Sequence, residues 1–151
     1  MHIEIDDLTR PEVHALLADH LADMHATSPA ESVHALDLTG LRRPDMTMWT
    51  LWDDGVLFGC AALRELSPDE GEIKSMRTVA EARGRGLGRR LLEHVITEAQ
   101  HRGYRRLSLE TGSQDFFAPA RRLYARHGFT ECPPFGDYTL DPNSVYMTRE
   151  V

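Results

Sequence analysis

At 151 residues, 41% hydrophobic and 27% charged, the chain is long enough for one domain with a real core and too short for two. A formal net charge of −7 argues against a surface that tracks nucleic-acid phosphates, which needs a basic patch. The same charge suits a cationic partner such as an amine, and it suits plain solubility equally well.

The opening residues Met1-His2-Ile3-Glu4-Ile5-Asp6-Asp7 have neither the basic end nor the apolar stretch of a signal peptide. No run approaches the ~20 apolar residues of a membrane helix. The expectation is a cytoplasmic single domain over 1–151, with no membrane or nucleic-acid partner and with a homodimer left open. Ile3 and Ile5 alternate with polar residues and predict a first strand. Thr9-Arg10-Pro11-Glu12 predicts a helix start with Thr9 as N-cap. Val13, Leu16, Leu17, Leu21 and Met24 continue it at helical spacing until Ser28-Pro29. A second, shorter helix is predicted from Glu31 to Leu38.

Strands follow at Met48–Trp52, Val56–Leu66 and Glu72–Val79, joined by turns at Asp53-Asp54-Gly55 and Ser67–Gly71. Connections this short make an antiparallel meander. The period then changes: Leu87, Leu91, Leu92, Val95, Ile96 and Ala99 form the apolar stripe of a helix, stopped by Gly103. Arg106–Thr111 reads as a strand, Phe117–His127 as a helix closed by Gly128, and a last pair of strands falls around Pro133-Pro134 and Ser144–Thr148. The order predicts a mixed α/β sheet flanked by helices.

The two cysteines, Cys60 and Cys132, form neither a disulfide framework nor a metal-ligand set. Cys60 lies in an apolar run and reads as a core residue. Eight histidines lack ligand spacing, so no metal is assigned.

The strongest chemical signal is Arg83-Gly84-Arg85-Gly86-Leu87-Gly88, set between a strand and a long helix. Glycines let a backbone approach a ligand closely, and the helix start offers unpaired N–H groups to an anion. Arg83, Arg85 and Arg89 add positive charge, so a pyrophosphate fits. Neither the dinucleotide fingerprint nor the P-loop matches: Arg89 stands where the fingerprint needs glycine, and no Lys-Ser or Lys-Thr follows the last glycine. Glycine content alone leaves a solvated turn as the other reading.

The loop resembles the acyl-CoA signature of the GNAT superfamily of N-acetyltransferases, Arg/Gln-x-x-Gly-x-Gly/Ala opening a helix after a strand. A second stretch, Ala120-Arg121-Arg122-Leu123-Tyr124-Ala125-Arg126-His127-Gly128-Phe129, is similar to the family's tyrosine element. The resemblance runs nearly end to end. It implies the GNAT fold, with a central mixed sheet of six to seven strands splayed between the fourth and fifth, and acetyl-CoA as cosubstrate. The backbone of Met76, Arg77 and Thr78 is expected to pair with the pantetheine arm, and the loop through Arg83, Gly84, Arg85, Gly86, Leu87, Gly88 and Arg89 to wrap the pyrophosphate. Tyr124 is the expected acid toward the departing thiolate, and Glu72 the candidate base toward the amine. A core tyrosine and a structural carboxylate remain the other readings of those two residues. The family's usual asparagine is replaced by Phe117, and Thr111 or Ser113 is expected to supply its contact. His25, Glu31, Ser32, His34, Tyr138 and Asp141 lie in loops that border the acceptor site in the family.

The expected activity is direct acetyl transfer from acetyl-CoA to a primary amine, with no covalent enzyme intermediate and a backbone N–H near Thr78 stabilising the oxyanion. A small-molecule acceptor leads. A protein lysine or N-terminus, and a non-catalytic acyl-CoA-binding module, are the alternatives.

Overall fold

A computed structural model describes residues 1–151. The alternation at Ile3 and Ile5 becomes β1 (His2–Ile5), and the apolar spacing after it becomes α1 (Pro11–Thr27). The helix begins one residue later than Thr9 implies. Thr9 gives its hydroxyl to Asp7 Oδ1 at 2.6 Å, and Arg10 takes the cap position without a side-chain cap bond.

No helix forms over Glu31–Leu38. A 3-10 turn at Ala30–Ser32 is followed by extended chain and then by the one-turn α2 (Leu38–Leu41). Asp37 caps α2 by accepting from the Gly40 N–H at 2.9 Å, and Leu36 packs on the α1 side of the core. The local helical spacing therefore loses to a cap one turn later and to tertiary burial.

The meander is β2 (Met46–Asp53), β3 (Val56–Ser67) and β4 (Glu70–Thr78), antiparallel throughout. After α3 (Leu87–His101) comes β5 (Arg106–Gly112), then α4 (Ala118–Arg126), β6 (Thr130–Glu131) and β7 (Ser144–Glu150). Pro133 and Pro134 fall outside β6, because proline has no N–H for the ladder. The seven strands lie in the order β1-β2-β3-β4-β5-β7-β6. Helices cover both faces, and β2 shows it by parity. Trp49 and Leu51 join the α3 core with Ala61, Leu63 and Leu91, whereas Met48 and Trp52 join Val13 and Leu17 of α1 on the other face. No helix is long and apolar enough to cross a membrane.

One irregularity sets up the site. β4 and β5 run parallel and pair only from Glu70↔Arg106 to Ile73↔Leu109. Just beyond, the β3–β4 register slips between Cys60↔Arg77 and Ala62↔Lys74, with Ser75 at φ 50°. Such a bulge adds a residue to one strand and bends it. The bent end of β4 leaves β5, so Met76–Thr78 have no partner on that side. Cys60 helps hold the bulge, donating its thiol to the Ser75 carbonyl at 3.2 Å. Burial pushes that thiol up to about 12, so it stays protonated and serves no nucleophilic role.

Candidate active site

Where β4 and β5 part, a cleft of about 700 Å³ opens between the β4 end, the Arg83–Gly88 loop and α4. Gly84 and Gly86 adopt φ of 81° and 76°, a region that side chains with a Cβ enter only at a cost. A Cβ at either position would meet nothing within 4 Å. The backbone turn, not crowding, demands glycine there, and the space above it is open to a ligand. Gly86 caps α3 without any side-chain cap bond, and the first intrahelical bond is Arg90 N–H to Gly86 O at 3.2 Å. The amides of Leu87, Gly88 and Arg89 are thus free to meet an anion, as helix starts do. These features fit the pyrophosphate and arm of acetyl-CoA.

Every predicted cofactor contact lines this cleft except Arg85 and Thr111. Arg85 turns its guanidinium over the Phe58 ring at 5.2 Å. Thr111 faces a second cavity instead. Arg89 pairs along its own helix with Glu93 at 2.8 Å. Arg77 sends its side chain to Asp23 of α1 at 2.7 Å, which leaves its backbone to the cleft. Phe117, in place of the family's asparagine, is buried and lines both cavities, and Ser113 is committed to the Pro142 carbonyl at 2.7 Å.

The second cavity, about 110 Å³, is lined in part by the α1–α2 connection and the β6–β7 loop. It meets the cleft at shared walls formed by His20, Met24, Met76, Phe117, Ala120 and Tyr124. Of the predicted acceptor contacts, Ser32, His34 and Tyr138 line it. His25 and Glu31 are exposed, and Asp141 accepts from the Asn143 N–H within its own loop at 2.8 Å. Those three do not reach the pocket.

Glu72 is 1% exposed on the pocket floor. Its Oε2 accepts from the Tyr138 hydroxyl at 2.6 Å and from Lys74 Nζ at 3.2 Å, and Lys74 Nζ also donates to the Tyr138 oxygen at 2.8 Å. Burial, with the charge and hydrogen bond of Glu72, pushes the Tyr138 phenol well above its ordinary value. The residue expected as base is therefore one half of a buried ion pair. Breaking such a pair from one side typically costs about 3–5 kcal/mol, because the partner charge stays behind. Glu72→Gln should lower unfolding stability by about 3 kcal/mol, the low end, since the amide still accepts a hydrogen bond. Adding Lys74→Met should restore much of it. Urea denaturation of the two single variants and the double variant checks this, and additive losses would show that the pair is not coupled.

Tyr124 is buried on α4, its ring edge-on to Phe129 at 5.9 Å. Burial and the charge of Glu110 push its phenol up to about 12. It remains a donor at any physiological pH, and such a phenol gives up its proton less readily than free tyrosine. The raised value favours hydrogen-bond donation over full proton release by this phenol, where the sequence leads one to expect an acid. Lys74, Glu110 and His20 also line these cavities, and the sequence reading singled out none of them. The alternation of charged residues along β4 and β5 was the available signal for the first two. Burial pushes the His20 imidazole down to about 4, helped by the Arg77 charge, so it is neutral at the junction.

The model of the acetyltransferase (GNAT) family matches residues 11–129. The uncharacterised N-acetyltransferase YsnE of Bacillus subtilis strain 168 is 53% identical over 151 residues, covering 100% of both chains. An IAA acetyltransferase of Azospirillum brasilense is 39% identical over 131 residues, 86% of this chain and 82% of its own. Among solved structures, a GNAT family acetyltransferase from Elizabethkingia anophelis with acetyl-CoA bound superposes with a TM-score of 0.68 at 20% identity, over 99% of this chain and 97% of its own. The chain belongs to the acetyltransferase (GNAT) family of acetyl-CoA-dependent enzymes.

Proposed function

We propose that this acetyltransferase moves an acetyl group from acetyl-CoA directly to a primary amine on a small molecule. The observation that carries the reading is the meeting of two cavities at Tyr124, one open and lined by a helix start, the other small and holding Glu72, Lys74, Glu110 and His34 among its lining residues. When bound, acetyl-CoA supplies an activated acetyl thioester. The chain's own residues do the rest. The free amides of Leu87, Gly88 and Arg89 hold the pyrophosphate, and the unpaired edge of Met76–Thr78 holds the arm. A backbone N–H on that edge faces the carbonyl oxygen, where one such donor is worth roughly 2.7–4 kcal/mol. Tyr124 hydrogen-bonds the sulfur.

The small size of the second cavity, about 110 Å³, favours a small acceptor over a peptide. His34 Nε2 and Ser75 Oγ line it as buried atoms without hydrogen-bond partners. Buried polar groups are normally paired, so the acceptor is expected to carry polar groups besides its amine. Calorimetry with acetyl-CoA and a thiol-release screen over alkylamines, diamines, amino acids and lysine peptides tests the reading. Acetyl-CoA binding with turnover of small amines supports it. Turnover of peptides alone moves the acceptor class to protein, and binding without any turnover makes the chain a non-catalytic module.

A further inference from the structure

Glu110 is the first β5 residue beyond the last β4–β5 pair, Ile73↔Leu109, so it stands where the strands separate. On its other side it pairs with Tyr146 of β7. It lines the acceptor pocket together with Glu72, Lys74, His34 and Tyr124. The two carboxylates are held differently. Glu72 gives one oxygen to two donors and forms an ion pair with Lys74, whereas Glu110 forms no ion pair. Glu110 and Tyr124 line the same pocket, and the charge of Glu110 adds to the rise of the Tyr124 phenol.

Resting on the transferase reading above, we infer that Glu110 is the catalytic residue that takes the proton from the acceptor ammonium, while Glu72 positions Lys74 and Tyr138 beneath it. An alkylamine arrives protonated at neutral pH, as lysine with its pKa of about 10.4 does, and has no lone pair until it loses one proton. Glu110 accepts that proton. The neutral nitrogen then bonds to the carbonyl carbon, and the carbon–sulfur bond breaks with its electron pair on sulfur. The second nitrogen proton passes to the sulfur, leaving amide and thiol, and Glu110 returns its proton to solvent.

A base works best when its pKa approaches the working pH. Burial pushes the Glu110 carboxyl above the ordinary range, against the opposite pull of the Ser144 hydroxyl on β7, of His34 from the α1–α2 connection and of Lys74 on β4, with a smaller rise from the charge of Glu72 on β4. Tyr124 on α4, Tyr138 in the β6–β7 loop and Tyr146 on β7 face it as phenols raised by burial, hence as neutral groups.

Glu110→Gln, assayed in single turnover with ethylamine as acceptor, tests the assignment. Transfer near pH 7 should fall about 10²-fold, with recovery as the pH rises and free ethylamine accumulates. Acetyl-CoA affinity should not change. Because a raised carboxyl makes the ionised form costly in the fold, wild type loses stability as pH climbs from about 4.3 through the folded value. The variant lacks that loss, so its Tm should exceed that of wild type near pH 8, with the gap closing toward pH 5. In the apo protein, 13C-labelled glutamate carboxyls should include one that titrates above the rest, shifts on adding ethylammonium chloride, and vanishes in the variant.

Transfer within twofold of wild type across about pH 6–9, or an equal loss at every pH, overturns the proposal. So does the absence of that carboxyl resonance, which decides the matter alone if ethylamine is not turned over. Failure of the transferase reading looks different: wild type would neither bind acetyl-CoA nor release thiol with any amine.

Discussion

Gly86→Val should abolish measurable acetyl-CoA binding, a loss of at least about 100-fold in affinity, while the domain stays folded. Two effects act together. Gly86 sits at φ 76° as the cap of α3, and a β-branched residue held there is strained by roughly 1–3 kcal/mol. Relaxing that strain moves the loop that aims the Leu87–Arg89 amides, and the loss of aligned donors is the loss of the anion site. The valine side chain also enters space that is open in this structure. The fold survives because Gly86 is exposed and its Cβ direction meets no core atom. Gly86→Ala fills less space at the same φ and should fall between. Calorimetry with acetyl-CoA, alongside circular dichroism for folding, measures both. A folded Gly86→Val protein with unchanged affinity would remove the loop from the cofactor site.

Tyr124→Phe should slow acetyl transfer by about 10²-fold, the low end of the range for a lost general acid, because the hydroxyl donates a hydrogen bond without surrendering its proton. The loss should appear in the single-turnover rate and not in acetyl-CoA affinity, since sulfur acquires charge only as its bond to carbon breaks. Stability should hold, because phenylalanine keeps the ring against Phe129. The pH dependence gives a sharper signature. A phenol pushed up to about 12 does not titrate in the working range, so the fractional loss should be the same at every pH assayed. Glu110→Gln should show the opposite, a loss that fades as pH rises. Single-turnover rates at several pH values separate the two. Transfer within about twofold of wild type in Tyr124→Phe would make this tyrosine a packing residue.

The parts of this protein that were legible in its sequence are those whose physics is local. A glycine-rich loop opening a helix exposes amides wherever the helix ends up, so a candidate anion site could be read from Arg83–Gly88. The stripe from Leu87 to Ala99 follows from a period of 3.6, and all six of its residues are buried as that period demands. Tyr124 was found by the pattern around it, not by its environment. What it can do depends on burial and on Glu110, which no spacing along α4 reveals.

The acceptor pocket was decided by the tertiary structure. Its walls come from α1, the α1–α2 connection, β4, β5, α4 and the β6–β7 loop, and only strand register brings them together. Tyr138 and Glu72 are 66 residues apart in the chain, and the Tyr138 hydroxyl donates to Glu72 Oε2 at 2.6 Å. Arg85 looked equal to its neighbours in a basic loop, yet the Phe58 ring draws it away from the cleft. The Glu31–Leu38 stretch has helical spacing, but the Asp37 cap and the burial of Leu36 outweigh it. The splay itself rests on one bulge at Ser75, a register event between β3 and β4 that leaves no mark in the composition of either strand. The sequence by itself marked a helix start able to meet an anion, because free amides there are a local object, and acetyl-CoA entered only through the resemblance of the loop and the tyrosine element to the GNAT family. How Glu72 and Glu110 are held, one in an ion pair with Lys74 and the other without one, was decided only by the fold, because burial and ion pairing are properties of neighbours that the chain order does not set side by side.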